Sequence, residues 1–262
     1  MAQLVQQAIA HDPNALKMLK ELAKQNDSEA MLHLGYLYDN GLAGLEQDPE
    51  IAVKYFQKAA EGGVALGWYN LGMMFMQGRP PFLVRNPAKA REFFLKIVSD
   101  RHLGGLACVQ LGRIHESEKD YQAAYIWYSQ ATRKGEKWLA PTRLGLYHYK
   151  GLGTVKAPKK AVQWLKEASE HWNREAQYLL GVLYSDTNAT CHNPILAAQW
   201  LEIASSGGNP EYVKWYKAYV ANMDEKERRV AHQKASIWIN GHSYPTNIPN
   251  YDVTINVVPM HK

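Results

Sequence analysis

The sequence lacks the features of secreted and membrane-spanning proteins. Its 262 residues include only two cysteines, Cys108 and Cys191, which excludes a disulfide framework and favours a reducing compartment. No apolar run reaches the roughly 20 residues that cross a bilayer, and the N-terminal stretch "MAQLVQQAIAHDPN" has no basic start followed by an apolar segment. We therefore expect a soluble, cytoplasmic chain. A periplasmic location would require that a signal peptide had been removed.

The common signatures of catalysis are also missing. The chain has no phosphate-binding Gly-x-x-x-x-Gly-Lys loop, no dinucleotide-binding fingerprint, and no His-Glu-x-x-His, Cys-x-x-Cys or Gly-x-Ser-x-Gly motif. Cys191 and His192 form a lone adjacent pair, which is too few ligands for a metal site. We therefore expect no enzyme activity, no catalytic residues, no cofactor and no metal.

Charge is present but not concentrated. Thirty Lys and Arg residues face 25 Asp and Glu residues, a net charge of +5, and the densest basic stretches are only "KAPKK" and "EKERR". Nucleic-acid binding needs a concentrated basic stripe and usually a recognisable module. We therefore expect neither a nucleic-acid partner nor membrane insertion.

What the sequence does contain is a repeated Leu-Gly pair. The five glycines of these pairs are separated by 37, 40, 33 and 36 residues, a period typical of stacked helical repeats. Glycine inside a helix costs roughly 1 kcal/mol relative to alanine, so its recurrence needs a reason. On a helical wheel, small residues at the glycine and five positions before it let a neighbouring helix approach closely. The five glycines are Gly35, Gly72, Gly112, Gly145 and Gly181.

Each Leu-Gly helix is followed by a second helical pattern. "AVKYFQKAAEGG" and "AAQWLEIASSGG" are two of five segments that place large residues three and four positions after a small one, which is one apolar stripe at helical spacing. Asp48-Pro49, Asn86-Pro87 and Asn193-Pro194 predict an N-cap followed by a first-turn proline. The chain thus predicts all-α structure built from antiparallel helix pairs.

These motifs resemble the Sel1-like repeat family, a branch of the tetratricopeptide superfamily. The family pattern runs Ala, Leu-Gly, Tyr, a Gly-rich loop, Lys-Ala-x-x-Trp-Tyr and Ala-Ala-x-x-Gly. Two repeats depart from it: the second carries Gly67 where Ala is usual, and the third has the short loop "ESEKD". The resemblance implies a right-handed superhelical solenoid. His115 and His148 stand at the Tyr position and are interpreted as core residues.

The resemblance also suggests how the chain is organised. Residues 1–27 are expected to form N-terminal capping helices, 28–210 five repeats, and 211–239 C-terminal capping helices. Residues 240–262 change character and form a tail that is either disordered or an extended strip lying on the solenoid. We favour the strip, because Tyr244, Ile248, Tyr251 and Ile255 are apolar.

A second arc of the first helices predicts a binding surface. Positions three before, one after and four after each Leu-Gly glycine fall together on the wheel, on the face that lines the concave side in the family. These positions hold tyrosines, methionines and aliphatic residues, which are enriched at protein-binding surfaces, and Arg113 and Lys150 add polar anchors. The candidate partner-binding residues are Tyr36, Tyr69, Met73, Met76, Arg113, Tyr149, Lys150 and Tyr178.

The alternative for this arc is burial between curved layers of helices, above all for Leu32, Val109 and Leu146. The two interpretations predict different results for a double substitution. If the arc is exposed, Tyr69→Ala with Met73→Ala weakens partner capture and leaves thermal stability nearly unchanged.

The functional interpretation is a module that binds a peptide, helix or loop of another protein. The resemblance implies a bacterial origin and a role as adaptor, regulator or neutralising partner of a toxin or effector. Two alternatives remain open. Binding or hydrolysis of a cell-wall fragment or small molecule predicts a compact polar pocket, whereas a structural assembly protein predicts self-association. We favour a monomer over an oligomer.

Overall fold

A computed structural model describes residues 1–245, which contain fourteen α-helices and no β-strand. The expectation of an all-α chain is thereby confirmed for these residues. The helices are α1 (Ala2–Ile9), α2 (Pro13–Lys24), α3 (Ser28–Asn40), α4 (Pro49–Glu61), α5 (Ala65–Gln77), α6 (Pro87–Leu95), α7 (Gly104–Ser117), α8 (Tyr121–Arg133), α9 (Leu139–Lys150), α10 (Pro158–Glu170), α11 (Arg174–Ser185), α12 (Pro194–Ser205), α13 (Pro210–Val220) and α14 (Glu225–Gly241).

Helix starts follow the capping chemistry of the sequence. Asp48 accepts a hydrogen bond from the backbone amide of Ile51 at 2.9 Å, and Pro49 opens α4. Asn86 caps α6 and Asn193 caps α12 in the same way, each directly before a proline. Side-chain oxygens thus satisfy amides that have no partner in the first turn, and the three predicted cap-and-proline starts are confirmed.

The chain divides into two compact units, and the division falls within α7. In the first unit, residues 1–114, Phe56 of α4 and Phe94 of α6 are fully buried. A bidentate ion pair joins Asp39, which is 1% exposed, to the Arg79 guanidinium at 2.9 and 3.1 Å. This pair fixes the loop between α5 and α6 to the end of α3.

In the second unit, the core of the described residues 115–245 lies between α10, α11, α12 and α14. Leu165, Leu180 and Ile203 are fully buried there, and Ala235 of α14 packs against the same cluster. His148 is buried at 4% exposure, as interpreted from the sequence, and its ring lies against Tyr125. His115 is only half-buried, with Nδ1 3.4 Å from the Asp120 carboxylate.

The Leu-Gly glycines lie where helices of one repeat cross most closely. A methyl carbon placed on Gly35 would lie 2.7 Å from the Phe56 ring, and one on Gly72 would lie 2.5 Å from the Phe94 ring. Gly145 meets Leu165, and Gly181 meets Leu201, in the same manner. The interpretation of these glycines as close-contact positions is confirmed at these four sites.

The described start of the C-terminal segment packs against Trp172 within the second unit. Trp172 Nε1 donates a hydrogen bond to the Ser243 carbonyl oxygen at 2.8 Å, and the Tyr244 ring lies 5.2 Å from the Trp172 ring. The rest of the predicted tail, with Ile248, Tyr251 and Ile255, lies outside the described residues.

Candidate functional site

In the first unit, the structure corrects two of the predicted binding residues. Tyr69 is 0% exposed and Met73 is 1% exposed, so neither side chain reaches a partner. The Tyr69 ring packs edge-on against Phe94, and its hydroxyl oxygen accepts a hydrogen bond from Gln110 Nε2 at 3.2 Å. The helix α5 is therefore covered by both α6 and α7, and the arc that carries Tyr69 belongs to the core.

The same burial applies to position −3 of most repeats. Leu32, Val109 and Thr142 occupy this position and are all buried. Tyr36, Met76 and Arg113 sit one or four positions after the glycine and are half-buried. The alternative of burial is thus correct for Leu32 and Val109, whereas Leu146 is half-buried. A wheel arc calculated for one helix does not show how far the next helix covers it.

In the second unit, the predicted residues remain accessible to solvent. Tyr178 and Tyr149 are half-buried, and Lys150 is exposed. The Tyr149 hydroxyl donates to the Asp186 carboxylate at 3.3 Å, which links α9 to the end of α11. The first helices α9 and α11 therefore present side chains on a common surface of this unit.

Tyr178 belongs to an aromatic cluster, which we define as Tyr178, Tyr212 and Trp215. The Tyr178 and Tyr212 rings stack at a centroid distance of 4.8 Å and an interplanar angle of 16°. The Trp215 ring meets Tyr178 edge-on at 6.1 Å and is 49% exposed. Aromatic pairs at these separations stabilise by about 0.5–1.5 kcal/mol beyond their buried area. The cluster is thus a preformed surface whose outer ring is open to solvent.

A charge network reaches the aromatic cluster through Glu175, and we define it as Glu116, Arg143 and Glu175. Arg143 Nη1 lies 2.8 Å from Glu175 Oε1, and Arg143 Nε lies 3.6 Å from Glu116 Oε2. Burial alone would lower the pKa of the Arg143 guanidinium, but Glu175 and Glu116 outweigh burial, and the net shift is upward. One cation is therefore held between two carboxylates.

The aromatic cluster and the charge network meet at Tyr212. Burial, followed by the charges of Glu175 and Glu211, raises the pKa of the Tyr212 hydroxyl. Burial and Glu211 raise the pKa of Tyr178 as well. Both hydroxyls stay protonated at neutral pH, and both lie close enough to carboxylates to sense their charge.

The sequence interpretation missed Tyr212, Trp215 and Glu175. Helix α13 falls within the predicted C-terminal cap, and its sequence "EYVKWYKAYV" carries Tyr212, Trp215, Tyr216 and Tyr219 on one helical face. That face was the available signal. Of these side chains, Tyr216 donates from its hydroxyl to Glu202 of α12 at 3.1 Å and so helps to hold α13 in place.

The described part of the chain offers neither a metal-binding cluster nor a membrane-spanning helix. Residues 1–245 hold no group of three or more His, Cys, Asp or Glu side chains arranged to bind a metal ion. No helix within the same range is long and apolar enough to span a bilayer.

Comparison with known protein families shows which residues of the chain form the repeats. The Sel1 repeat model matches five segments, residues 28–64, 69–99, 103–136, 140–171 and 174–209. Among curated proteins, the chitin synthase regulator SKT5 of Saccharomyces cerevisiae is 26% identical over 206 residues, which cover 73% of this chain and 29% of the regulator. The chain therefore spans less than a third of the length of this relative.

Two solved structures show the same fold. A Sel1 repeat protein from Oxalobacter formigenes superposes with a TM-score of 0.70 at 27% identity, over 90% of this chain and 98% of that protein. A protective antigen of uropathogenic Escherichia coli with an SLR fold gives a TM-score of 0.75 at 25% identity, over 86% of this chain and 48% of the antigen. The solenoid class and the resemblance drawn from the motifs are confirmed, and the chain belongs to the Sel1 repeat family.

Proposed function

We propose that this chain is a non-catalytic module that binds a segment of another protein on the surface formed by α9, α11 and α13. The observation that carries the proposal is the aromatic cluster of Tyr178, Tyr212 and Trp215. Its rings are preformed by mutual contact, and Trp215 is half exposed. Large, rigid aromatic side chains of this kind anchor protein interfaces at low cost in conformational entropy.

The surroundings of the cluster support binding more than chemistry. Burial raises the pKa of Tyr178 and Tyr212, whereas a nucleophile or base would need its pKa lowered towards neutrality. The charge network adds polar groups at the edge of the aromatic cluster, a common pattern of protein interfaces.

The role of the bound segment is part of the same proposal. Similarity to a chitin synthase regulator supports a regulatory or adaptor role, in which the module controls or recruits its partner. A role as neutralising partner of a toxin or effector is a narrower version with the same binding step. Each role rests on the analogy of a shared repeat, because fold alone does not fix function.

A selection experiment tests the proposal. A library of random linear peptides displayed on phage is selected on the immobilised protein. The enriched peptides are then measured against a Tyr178→Ala/Trp215→Ala variant and against Phe82→Ala, which removes a 61% exposed aromatic ring from the first unit. We expect binding to be lost in the double variant and retained in Phe82→Ala, with thermal unfolding of all three proteins compared. Failure to enrich any peptide, or equal binding to the double variant, would contradict the proposal.

A further inference from the structure

Two carboxylates lie close to the aromatic cluster, although the whole chain carries a net positive charge. The sequence carries a net charge of +5. Near the cluster, however, Glu175 and Glu211 raise the pKa of the Tyr212 hydroxyl, and Arg143 is already held between Glu175 and Glu116. The Glu175 side chain is 38% exposed and Glu211 is exposed, so both remain available to a further donor.

The lysines of α13 do not cancel this charge. With about 100° per residue, Lys214 and Lys217 lie about 200° and about 140° around the helix from Tyr212. On the same wheel Glu211 lies about 40° from Trp215, on the side away from Tyr212, and so borders the Trp215 ring. Lys150 lies at the C-terminal end of α9, two helical turns beyond Arg143 and near the Tyr149–Asp186 contact. Arg174, four residues before Tyr178, donates instead to the Ile203 carbonyl oxygen and to Ser206. Glu211 and Glu175 are therefore the carboxylates next to the aromatic rings.

The ring geometry suits a flat cation. The Tyr178 and Tyr212 rings are nearly parallel, and the Trp215 ring stands at 64° to Tyr178, so the three rings form a corner. Cations bind to the faces of aromatic rings, tryptophan being the best, and the guanidinium group is the more frequent partner because it is planar and weakly hydrated. A guanidinium on Trp215 can also donate paired hydrogen bonds to a carboxylate.

We infer that the aromatic cluster selects protein segments by an arginine side chain, whose guanidinium stacks on Trp215 or Tyr212 and donates hydrogen bonds to Glu211 or Glu175. This inference rests on the proposed function and names the chemistry of its partner. The occupant is a peptide segment with arginine spaced along it, because the surrounding chain is positive and repels a diffuse basic surface.

Fluorescence anisotropy with defined probes tests the inference. The probes are fluorescein-labelled Gly-Arg repeat peptides, with Gly-Lys and Gly-Glu repeats of equal length as controls. We expect the Gly-Arg peptide to bind, the Gly-Glu peptide not to bind, and the Gly-Lys peptide to bind at least about threefold more weakly. Equal affinity for Gly-Lys would show that charge alone is recognised and would overturn the assignment to arginine. Absence of Gly-Arg binding would overturn it as well.

Matched variants locate the binding. Trp215→Ala and Glu211→Gln are each expected to weaken Gly-Arg binding by about threefold or more. The controls Phe82→Ala and Glu170→Gln change an exposed aromatic ring and an exposed carboxylate elsewhere and should leave the affinity unchanged. Equal effects in the controls would place the binding outside the cluster and contradict the inference.

The display selection separates this inference from the function it rests on. Peptides without arginine that still lose binding in the Tyr178→Ala/Trp215→Ala variant would support a protein-binding surface and overturn the arginine assignment. If neither arginine-containing nor arginine-free peptides bound to the wild-type protein, both proposals would be rejected.

Discussion

Where the two helices of one repeat approach most closely, a glycine of the first helix faces a large side chain of the second. The Cβ position of Gly145 lies 2.5 Å from Leu165 Cγ, a separation at which a methyl group and the leucine side chain cannot both stay in place. Alanine is favoured over glycine by about 1 kcal/mol within a helix, so the close contacts at this position, above all with Leu165, disfavour alanine here. The sequence signals such a position because it keeps glycine where helix propensity favours alanine.

We expect Gly145→Ala to destabilise the protein by about 1–3 kcal/mol, because the added methyl group overpacks the contact with Leu165. Thermal and urea unfolding followed by circular dichroism measure the change. Gly241→Ala is the control, since nothing lies within 4 Å of the added methyl group at the end of α14. In a Leu165→Ala background the cost of Gly145→Ala should fall. An equal cost in both backgrounds would show that the two residues do not compete for space.

Tyr69 shows what a single-helix pattern leaves undetermined. Its sequence position places it on an arc that looked accessible, yet it is fully buried against Phe94 and bonded to Gln110. The partners lie 25 and 41 residues further along the chain, and their approach depends on how α6 and α7 pack. The position of Tyr69 around the helix axis could thus be predicted from the sequence, whereas its burial could not.

The earlier expectation for the double substitution at Tyr69 and Met73 is therefore reversed. We expect Tyr69→Ala to destabilise by about 3–5 kcal/mol, as truncation of a buried aromatic side chain does. Urea unfolding measures this loss, with Tyr36→Ala, at a half-buried position, as a milder comparison. If Tyr69→Ala unfolded at the same urea concentration as the wild type, the residue could not be part of the core.

The last two described helices, α13 and α14, differ in how deeply their side chains are buried against the repeats. Helix α14 buries Ala231 and Ala235 and lies on α12, whereas α13 has no fully buried residue and exposes Trp215. Helix starts and helix pairs were predictable, because capping residues, prolines and apolar stripes are local signals. The exposure of Trp215 on α13 was not predictable, because it depends on how α13 and α14 each pack against α12.

Trp238 holds α14 onto the preceding helices. Its ring lies 4.8 Å from Trp172, 5.6 Å from Trp200 and 4.1 Å from the stacked His242 ring. We expect Trp238→Ala to lower the free energy of unfolding by about 3 kcal/mol. The adjoining helices should be destabilised most, because repeat proteins are stabilised by nearest-neighbour contacts.

Hydrogen exchange measures where that loss falls. Amides of α12 and α14 should exchange faster in Trp238→Ala, whereas those of α3 and α4 should change little. Ile237→Ala is the control on the same helix, because its side chain is 65% exposed. Uniform acceleration along the chain, or the same effect in the control, would contradict a local role of Trp238.

At the scale of the whole molecule, tyrosine burial links stability to alkaline pH. Within residues 1–245, burial is the main cause that raises the pKa of nine tyrosines above the usual value of 10, and for Tyr216 it does so together with Glu202, to about 12. The nine are Tyr55, Tyr128, Tyr147, Tyr149, Tyr178, Tyr184, Tyr212, Tyr216 and Tyr219. The folded protein therefore keeps protons that the unfolded chain loses first.

The sign of the pH dependence follows from this difference. A raised pKa in the folded state contributes stability that is fully present below the unfolded pKa and is lost as the pH rises through the folded pKa. We expect the free energy of unfolding to be steady up to about pH 9 and to fall above about pH 10, with each fully buried tyrosine adding about 1.4 kcal/mol per pH unit to the slope.

Tyr128 provides the variant that tests the origin of this fall. It is fully buried, and burial, followed by the charge of Glu116, raises its pKa, while its hydroxyl donates to Glu116 at 2.9 Å. Tyr128→Phe should cost about 1 kcal/mol at neutral pH, where the hydrogen bond is lost, and should lose less stability above pH 10, where no proton remains to be released. Urea unfolding at a series of pH values measures both effects, with Tyr244→Phe, at a 56% exposed position, as the control. Parallel pH profiles for Tyr128→Phe and the wild type would show that Tyr128 does not contribute to alkaline unfolding.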